Sequence, residues 1–274
     1  MWIRKKEILA LSRGIRGAME GRDFDPRDHR EGALSILKND LYTLIHSEQE
    51  QREAAVEEKE HLGEYLSDIS HQLKTPISSI LLMTELMTEA PEEKQREFLL
   101  CIKKEIRHME WLTAALLKMA KLDSSTVLFH REEVRVGELL ESALESVEIM
   151  LDIRAQTVSL RQDLILLCDK KWTGEALINL LKNASECSRE NSEILVDCGE
   201  NPIYCWISVT DTGDGLKKEQ ISGLFRRFES TQKENGYGIG LPLALSIMRA
   251  QNGEIEVLPG KDKTGATFVM KFYR

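Results

Sequence analysis

The chain has 274 residues, of which 42% are hydrophobic, 30% charged and 6% aromatic, enough for about two ordinary domains and weighted towards helices rather than an all-β architecture. A formal net charge of -9 excludes broad, sequence-independent nucleic-acid binding, which needs a basic surface. The five cysteines, Cys101, Cys168, Cys187, Cys198 and Cys205, show no CxxC pairing or other metal-ligand spacing, so reduced and mostly buried thiols are expected instead of a disulfide framework.

No run of about 18 apolar residues occurs, so no membrane-spanning helix is expected in the chain as given. The start, Met1-Trp2-Ile3-Arg4-Lys5-Lys6, lacks the apolar core and cleavage site of a signal peptide. A Trp beside a basic cluster reads equally as the stretch just inside a membrane helix or as a solvated helix end. Residues 1–47 read as an amphipathic helix from Ile8, a break at Glu20-Gly21-Arg22-Asp23-Phe24-Asp25-Pro26, and a helix through Leu34, Leu37, Leu41, Leu44 and Ile45.

Residues 48–125 read as a helical hairpin. Leu62, Leu66, Ile69, Leu73 and Ile80 recur at alternating three- and four-residue steps, the seam of a bundle or coiled coil, with Pro76 in the one missing seam position. Extending that register puts His71 opposite the seam, facing water, where an imidazole nitrogen is a nucleophile towards phosphorus. The helix should break at Thr88-Glu89-Ala90-Pro91, because proline lacks the backbone donor and tends to start a new helix. A second helix then places Phe98, Ile102, Ile106, Met109, Leu112, Leu116 and Met119 on one face. Two antiparallel helices with one apolar stripe each cannot bury those stripes alone. Pairing with a second copy into a four-helix bundle would, so a homodimer is expected.

Residues 126–274 change texture. Val136 to Leu151 reads as a helix, Thr157-Leu160 and Leu164-Leu167 as strands, and Trp172 to Cys187 as a helix. Strands Glu193-Val196 and Ile203-Thr210 follow, then a helix from Gly240 to Gln251 and strands Ile255-Leu258 and Ala266-Phe272. The fold expected is α+β: a helical hairpin that forms a four-helix bundle in the dimer, followed by an α/β sandwich. Three motifs punctuate the sandwich. Asn179 and Asn183 lie four apart on one helix face. Asp211-Thr212-Gly213-Asp214-Gly215 follows a strand directly, which alone is only a tight-turn signal. Gly236-Tyr237-Gly238-Ile239-Gly240-Leu241 opens a helix, where free N–H groups can cradle phosphates.

His71-Gln72-Leu73-Lys74-Thr75-Pro76 resembles the phosphoacceptor box of the sensor histidine kinases of two-component signalling. The order Asn-x-x-x-Asn, DxGxG, GxGxG resembles their ATP-binding domain, which belongs to the superfamily that includes the gyrase and mismatch-repair ATPases. The likeness spans roughly Leu62 to Arg274. It implies Mg²⁺ and ATP as cofactors, with Asn183 holding the metal, Asn179 supporting the phosphate and metal shell, and Asp211 accepting from the adenine amino group. Gly213 and Gly215 would let the backbone approach base and ribose, and Gly236, Gly238 and Gly240 would line the phosphates. Leu216 to Asn235, with Leu224-Phe225-Arg226-Arg227-Phe228, looks like the lid and phenylalanine box; plain hydrophobic anchoring is the other reading of Phe225 and Phe228. The likeness further implies autophosphorylation of His71, transfer to an aspartate on a response-regulator receiver domain, and dephosphorylation of that regulator through Thr75. Residues 1–47 are faintly similar to the family's signal-relay linker and equally compatible with two arbitrary helices. A membrane tether upstream and a cytoplasmic location are further expectations.

Where ATP-hydrolysing members of the superfamily carry a water-positioning Glu, four residues before the metal asparagine, this chain has Asn179, an amide that cannot act as a base. That suits transfer to a side chain. The chain also departs from the family: Gln72 follows the phosphoacceptor where an acidic base is usual, with Asp68 a substitute candidate. Glu186 occupies a position often basic, Tyr237 one that is commonly a small hydroxyl residue, and Ser230 one where arginine often follows. These departures keep a second reading open, a dimeric nucleotide-binding scaffold with weak or no transfer.

Overall fold

The computed structural model describes residues 5–19, 24–25, 27, 33–88, 90–124, 126–221, 223–228, 238–260 and 265–274. The chain divides into two units, residues 1–75 and 76–274. Trp2, Arg4, Gly21 and Pro26, invoked above for the start of the chain and the linker break, lie outside the described residues.

In the first unit α1 (Lys5–Met19) leads through a connector to α2 (Ala33–Met87). Phe24 packs on α1 at Gly14, where a Cβ would fall 2.0 Å from the ring. Arg27 bonds Asp25 at 2.6 Å and lies 3.6 Å over the Tyr42 ring, which stacks on His46 at 5.5 Å. No helix break marks the boundary expected near residue 47. α2 is unbroken for 55 residues, because no proline interrupts it before Pro76 and its only glycine is Gly63.

In the second unit, α2 ends at Met87 and α3 (Glu92–Asp123) begins after Pro91, the expected turn. Glu92 and Glu93 in its first turn complement the helix dipole. Ile102, Leu112, Ala115, Leu116, Met119 and Leu122 are buried, whereas Ile106 of the expected stripe is 45% exposed in the single chain. Then come β1 (Arg131–Arg135), α4 (Val136–Glu145), α5 (Glu148–Ile153), β2 (Thr157–Leu160), β3 (Ile165–Asp169), α6 (Lys170–Cys187), β4 (Glu193–Glu200), β5 (Tyr204–Thr210), α7 (Lys218–Ile221), α8 (Gly240–Ala250), β6 (Gly253–Pro259) and β7 (Ala266–Tyr273).

The main sheet has the order β2-β4-β5-β7-β6, and β1 pairs with β3 as a separate ribbon. Among the described strands only β2 and β4 pair in parallel. Alternation in the central strands sends Ile194, Val196, Ile207, Val209, Phe268 and Met270 to the inner face, and all are buried, as are Leu177, Leu180 and Leu181 of α6 and Leu243 and Ile247 of α8. At about 1.5–3 kcal/mol for each large apolar side chain, this layer of helices on a sheet holds the site elements in place. Two elements differ from the sequence reading. The helix expected over 136–151 is two, α4 and α5, parted at Ser146 and Val147. β1 is a strand although Val134 is its one buried residue; its pairing with β3, not its own pattern, makes it extended.

Candidate functional site

α6 supplies one wall. It starts on a firm cap: Asp169 Oδ1 accepts from the Trp172 N–H at 3.0 Å, while Oδ2 accepts from the His130 N–H at 2.9 Å. Two turns on, Asn179 is buried at 6% exposure. Its Nδ2 donates to the Glu175 carbonyl at 2.8 Å, and its Oδ1 lies 3.0 Å from where a Cβ on Gly240 would stand. The face of α6 carrying Asn179 therefore fronts the N-terminus of α8, whose free N–H groups favour anions. Asn183, one turn further, is half-buried and makes no side-chain hydrogen bond within the described residues.

β5 ends at the second wall. Asp211 is 5% exposed and its Oδ1 accepts from the Gly213 N–H at 2.9 Å. Burial pushes its carboxyl above the ordinary range, and backbone bonds with Gly213 and Ala266 pull it partly back. A Cβ on Gly213 would fall 2.5 Å from the Cys187 carbonyl, so the C-terminal end of α6 lies directly against this turn. Gly215 has φ 78°, a conformation glycine adopts without cost. Two contributors went unread in the sequence. Gly265, at φ 72°, offers its N–H to the Gly213 carbonyl at 2.6 Å, and a Cβ there would fall 2.1 Å from the Asp211 carbonyl. Ser188 Oγ accepts from the Thr212 N–H at 3.1 Å. A glycine before a strand is a readable turn signal; its meeting with Asp211, far earlier in the chain, is not.

Asn179 thus meets Gly240 midway along α6, and Asp211, Gly213 and Gly265 gather at its C-terminal end, with Asn183 and Gly238 beside them in sequence. Gly236, Tyr237 and Ser230 lie outside the described residues. Gly238 has φ 65°, and its carbonyl accepts from the Phe228 N–H at 2.9 Å. Phe225 stands apart from this group: it is half-buried and lines a groove of about 370 Å³ with Leu245, Arg249 and Tyr273. Next to it Arg227 bonds Asp123 at the end of α3 at 2.9 Å, and Lys118 of α3 bonds Glu175 of α6 at 2.7 Å. Cys187 offers no nucleophile here, since burial, with the charges of Asp211 and Glu186, pushes its thiol to about 12.

On α2, His71 and Thr75 are exposed and Gln72, Ile69 and Leu73 half-buried, which agrees with the seam register. Thr75 Oγ1 donates to the His71 carbonyl at 3.3 Å. Nothing is described of the side chains of Leu62, Leu66 and Asp68. Among the described residues no cluster of three His, Cys, Asp or Glu could hold a metal alone, and no helix is long and apolar enough to cross a membrane. The second wall suits a nucleotide: a desolvated carboxylate acceptor beside backbone that no side chain crowds.

Two family models match the chain and together span well over half of it. Residues 61–125 match the His Kinase A (phospho-acceptor) domain, and residues 168–274 match the histidine kinase-, DNA gyrase B- and HSP90-like ATPase. Among named relatives, sensor histidine kinase WalK of Bacillus subtilis is 26% identical over 246 residues, covering 85% of this chain and 39% of WalK. Heme sensor protein HssS of Staphylococcus haemolyticus is 26% identical over 274 residues, covering 97% of this chain and 57% of HssS. The chain spans about half the length of the curated relatives it matches. The fold is shared with Acinetobacter baumannii histidine kinase AdeS at TM-score 0.62 and 19% identity, covering 74% of this chain and 97% of that one. It is shared too with histidine kinase ThkA, solved in complex with response regulator protein TrrA, at TM-score 0.64 and 19% identity, covering 85% and 66%.

Proposed function

We propose that this chain, which belongs to the sensor histidine kinases of two-component signalling, uses Mg-ATP to phosphorylate His71 and passes the phosphoryl group to an aspartate of a response regulator. The observation that carries the proposal is the pairing of an exposed histidine on a helical-hairpin module with a buried-carboxylate nucleotide cradle in one chain. In the reaction a His71 ring nitrogen attacks the γ-phosphorus, the bond to the β,γ-bridging oxygen breaks, ADP leaves, and the imidazole proton goes to solvent or a nearby base. Asp211 selects the adenine amino group by accepting its hydrogen bond. Gly213, Gly215 and Gly265 clear the base pocket, and Gly236, Gly238 and Gly240 present backbone N–H groups to the phosphates. Asn183, backed by Asn179, would hold Mg²⁺, whose charge neutralises the phosphates when it is bound. Catalysis on this reading is positioning and electrostatics.

Gln72 orients the imidazole and cannot take its proton, so the step is slow compared with an acidic neighbour. Thr75, one turn past His71 with its hydroxyl exposed, would position water for dephosphorylating the regulator. The relative solved with its regulator supports the transfer step. A homodimer is supported by apolar side chains left uncovered in one copy, Leu81, Leu82, Leu100 and Leu117 among them. Residues 1–47 would relay a signal to the hairpin at 48–125, and 126–274 bind ATP. The location proposed is cytoplasmic, with a membrane tether upstream.

The test is incubation with Mg²⁺ and γ-labelled ATP beside His71→Gln. Acid-labile, base-stable label that the substitution abolishes is expected. Bound ATP with no label would move the reading to a scaffold, the alternative that Gln72 favours.

A further inference from the structure

Two fixed contacts orient α6 in the site. Asn179 faces Gly240 at the phosphate end, and the Cys187 carbonyl backs Gly213 at the base end. Asn183 and Glu186 stand between them. At about 100° and 1.5 Å per residue, Glu186 comes within about 20° of the Asn179 direction, and it lies about 60° and 4.5 Å from Asn183. This is the i, i+3 spacing at which two side chains on one helix meet.

Glu186 is also anomalous in its surroundings. It is half-buried and makes no side-chain hydrogen bond or ion pair within the described residues. Lys182 and Arg154 are near enough to act on it through charge alone. Arg154 spends Nη2 on the Ser188 carbonyl at 3.1 Å. A desolvated carboxylate without a donor is costly, and beside nucleotide phosphates it would add repulsion. Both penalties reverse if a divalent cation lies between carboxylate and phosphate.

We propose that Glu186 is a second, anionic oxygen ligand of the divalent cation that Asn183 holds with the nucleotide. The inference rests on the nucleotide-site reading above. Hard cations take carboxylate oxygens readily, so the site discriminates: Mg-ATP is welcomed and metal-free ATP repelled. A basic residue at 186 would hold the phosphates directly and make binding less dependent on metal.

The experiment is calorimetric titration of the full chain with ADP and with ATP, in Mg²⁺ and in EDTA. It is paired with Mn²⁺ binding followed by electron paramagnetic resonance in saturating ADP. Glu186→Gln keeps the side-chain shape; Glu186→Lys reverses the charge. In wild type the metal should strengthen nucleotide binding strongly. Glu186→Gln should cut that enhancement and weaken Mn²⁺ binding by about tenfold or more, and Glu186→Lys should bind metal-free ATP more tightly than wild type. An unchanged metal enhancement and unchanged Mn²⁺ affinity in Glu186→Gln would overturn the assignment while leaving the nucleotide site intact. Absence of nucleotide binding by wild type in Mg²⁺ would overturn the nucleotide reading and this assignment with it.

Discussion

Asp211 answers to pH in two opposing ways. Its carboxyl is raised by burial above its unfolded value, so between those two values the folded chain holds more protons than the unfolded one, and stability falls as pH rises through that window. On the role proposed for Asp211, nucleotide recognition runs the other way, because the adenine amino group would need the charged acceptor and would lose it as pH falls through the folded value. Asp211→Asn removes a desolvated charge and keeps the shape. Its melting temperature at neutral pH should be no lower than wild type, while ATP binds about tenfold or more weakly, since a hydrogen bond to a charged group is worth about 1.5–3 kcal/mol. Calorimetric melting and titration of the same sample measure both, and a parallel fall in stability and affinity would rule out this account of Asp211. Gly265→Ala should fail differently. Its Cβ would press on the Asp211 carbonyl 2.1 Å away at a positive φ, costing about 1–3 kcal/mol of stability and loosening the base pocket together with the fold.

Among elements, α6 was legible nearly to the residue, because its apolar period, its asparagine pair and the turn after it agree. The long helix ended at the expected Thr88–Pro91 turn for an equally local reason. What could not be read has non-local causes: β1 is extended through β3, and Gly265 matters only through Asp211. Gly236 and Tyr237 fall outside the described residues, so that half of the glycine motif stands as a sequence reading. Nor does the sequence hint that α3 is bonded to the ATP-binding domain at two places, Lys118 to Glu175 and Asp123 to Arg227. Arg227 lies one residue before Phe228, whose N–H is tied to Gly238, so this pair links α3 to the base of the glycine loop. The pair is partly exposed, and such pairs contribute about 0.2–1 kcal/mol. Asp123→Ala and Arg227→Ala should each destabilise slightly, and the double variant should cost less than the two singles added. Urea unfolding of the four chains measures the coupling; strict additivity would mean that the contact carries no energy.

For the whole molecule the decisive question is what covers the hairpin. A chain that stayed single would leave Leu82, Leu100 and Leu117 at 56%, 67% and 60% exposure, while the neighbouring face of α3 buries Leu112 and Met119 almost completely. An isolated exposed leucine is ordinary, but a series along two antiparallel helices is the pattern of a bundle lacking its other half. The two hypotheses assign opposite energies to one substitution. On a single chain Leu82→Glu or Leu100→Glu alters a solvated site and should change stability by no more than about 0.5 kcal/mol. In a dimer each places two carboxylates in the apolar centre of a four-helix bundle, once per copy, where charge is costly without a partner. Sedimentation equilibrium should therefore find a dimer in wild type and a monomer in both variants, with melting temperature dependent on concentration only in wild type. ATP titration supplies the control: the variants should bind nucleotide as wild type does, because the cradle of Asp211, Gly213 and Gly265 is built from the ATP-binding domain alone. A wild-type chain that sediments as a monomer would leave these exposed leucines unexplained and remove the dimer from the proposed mechanism.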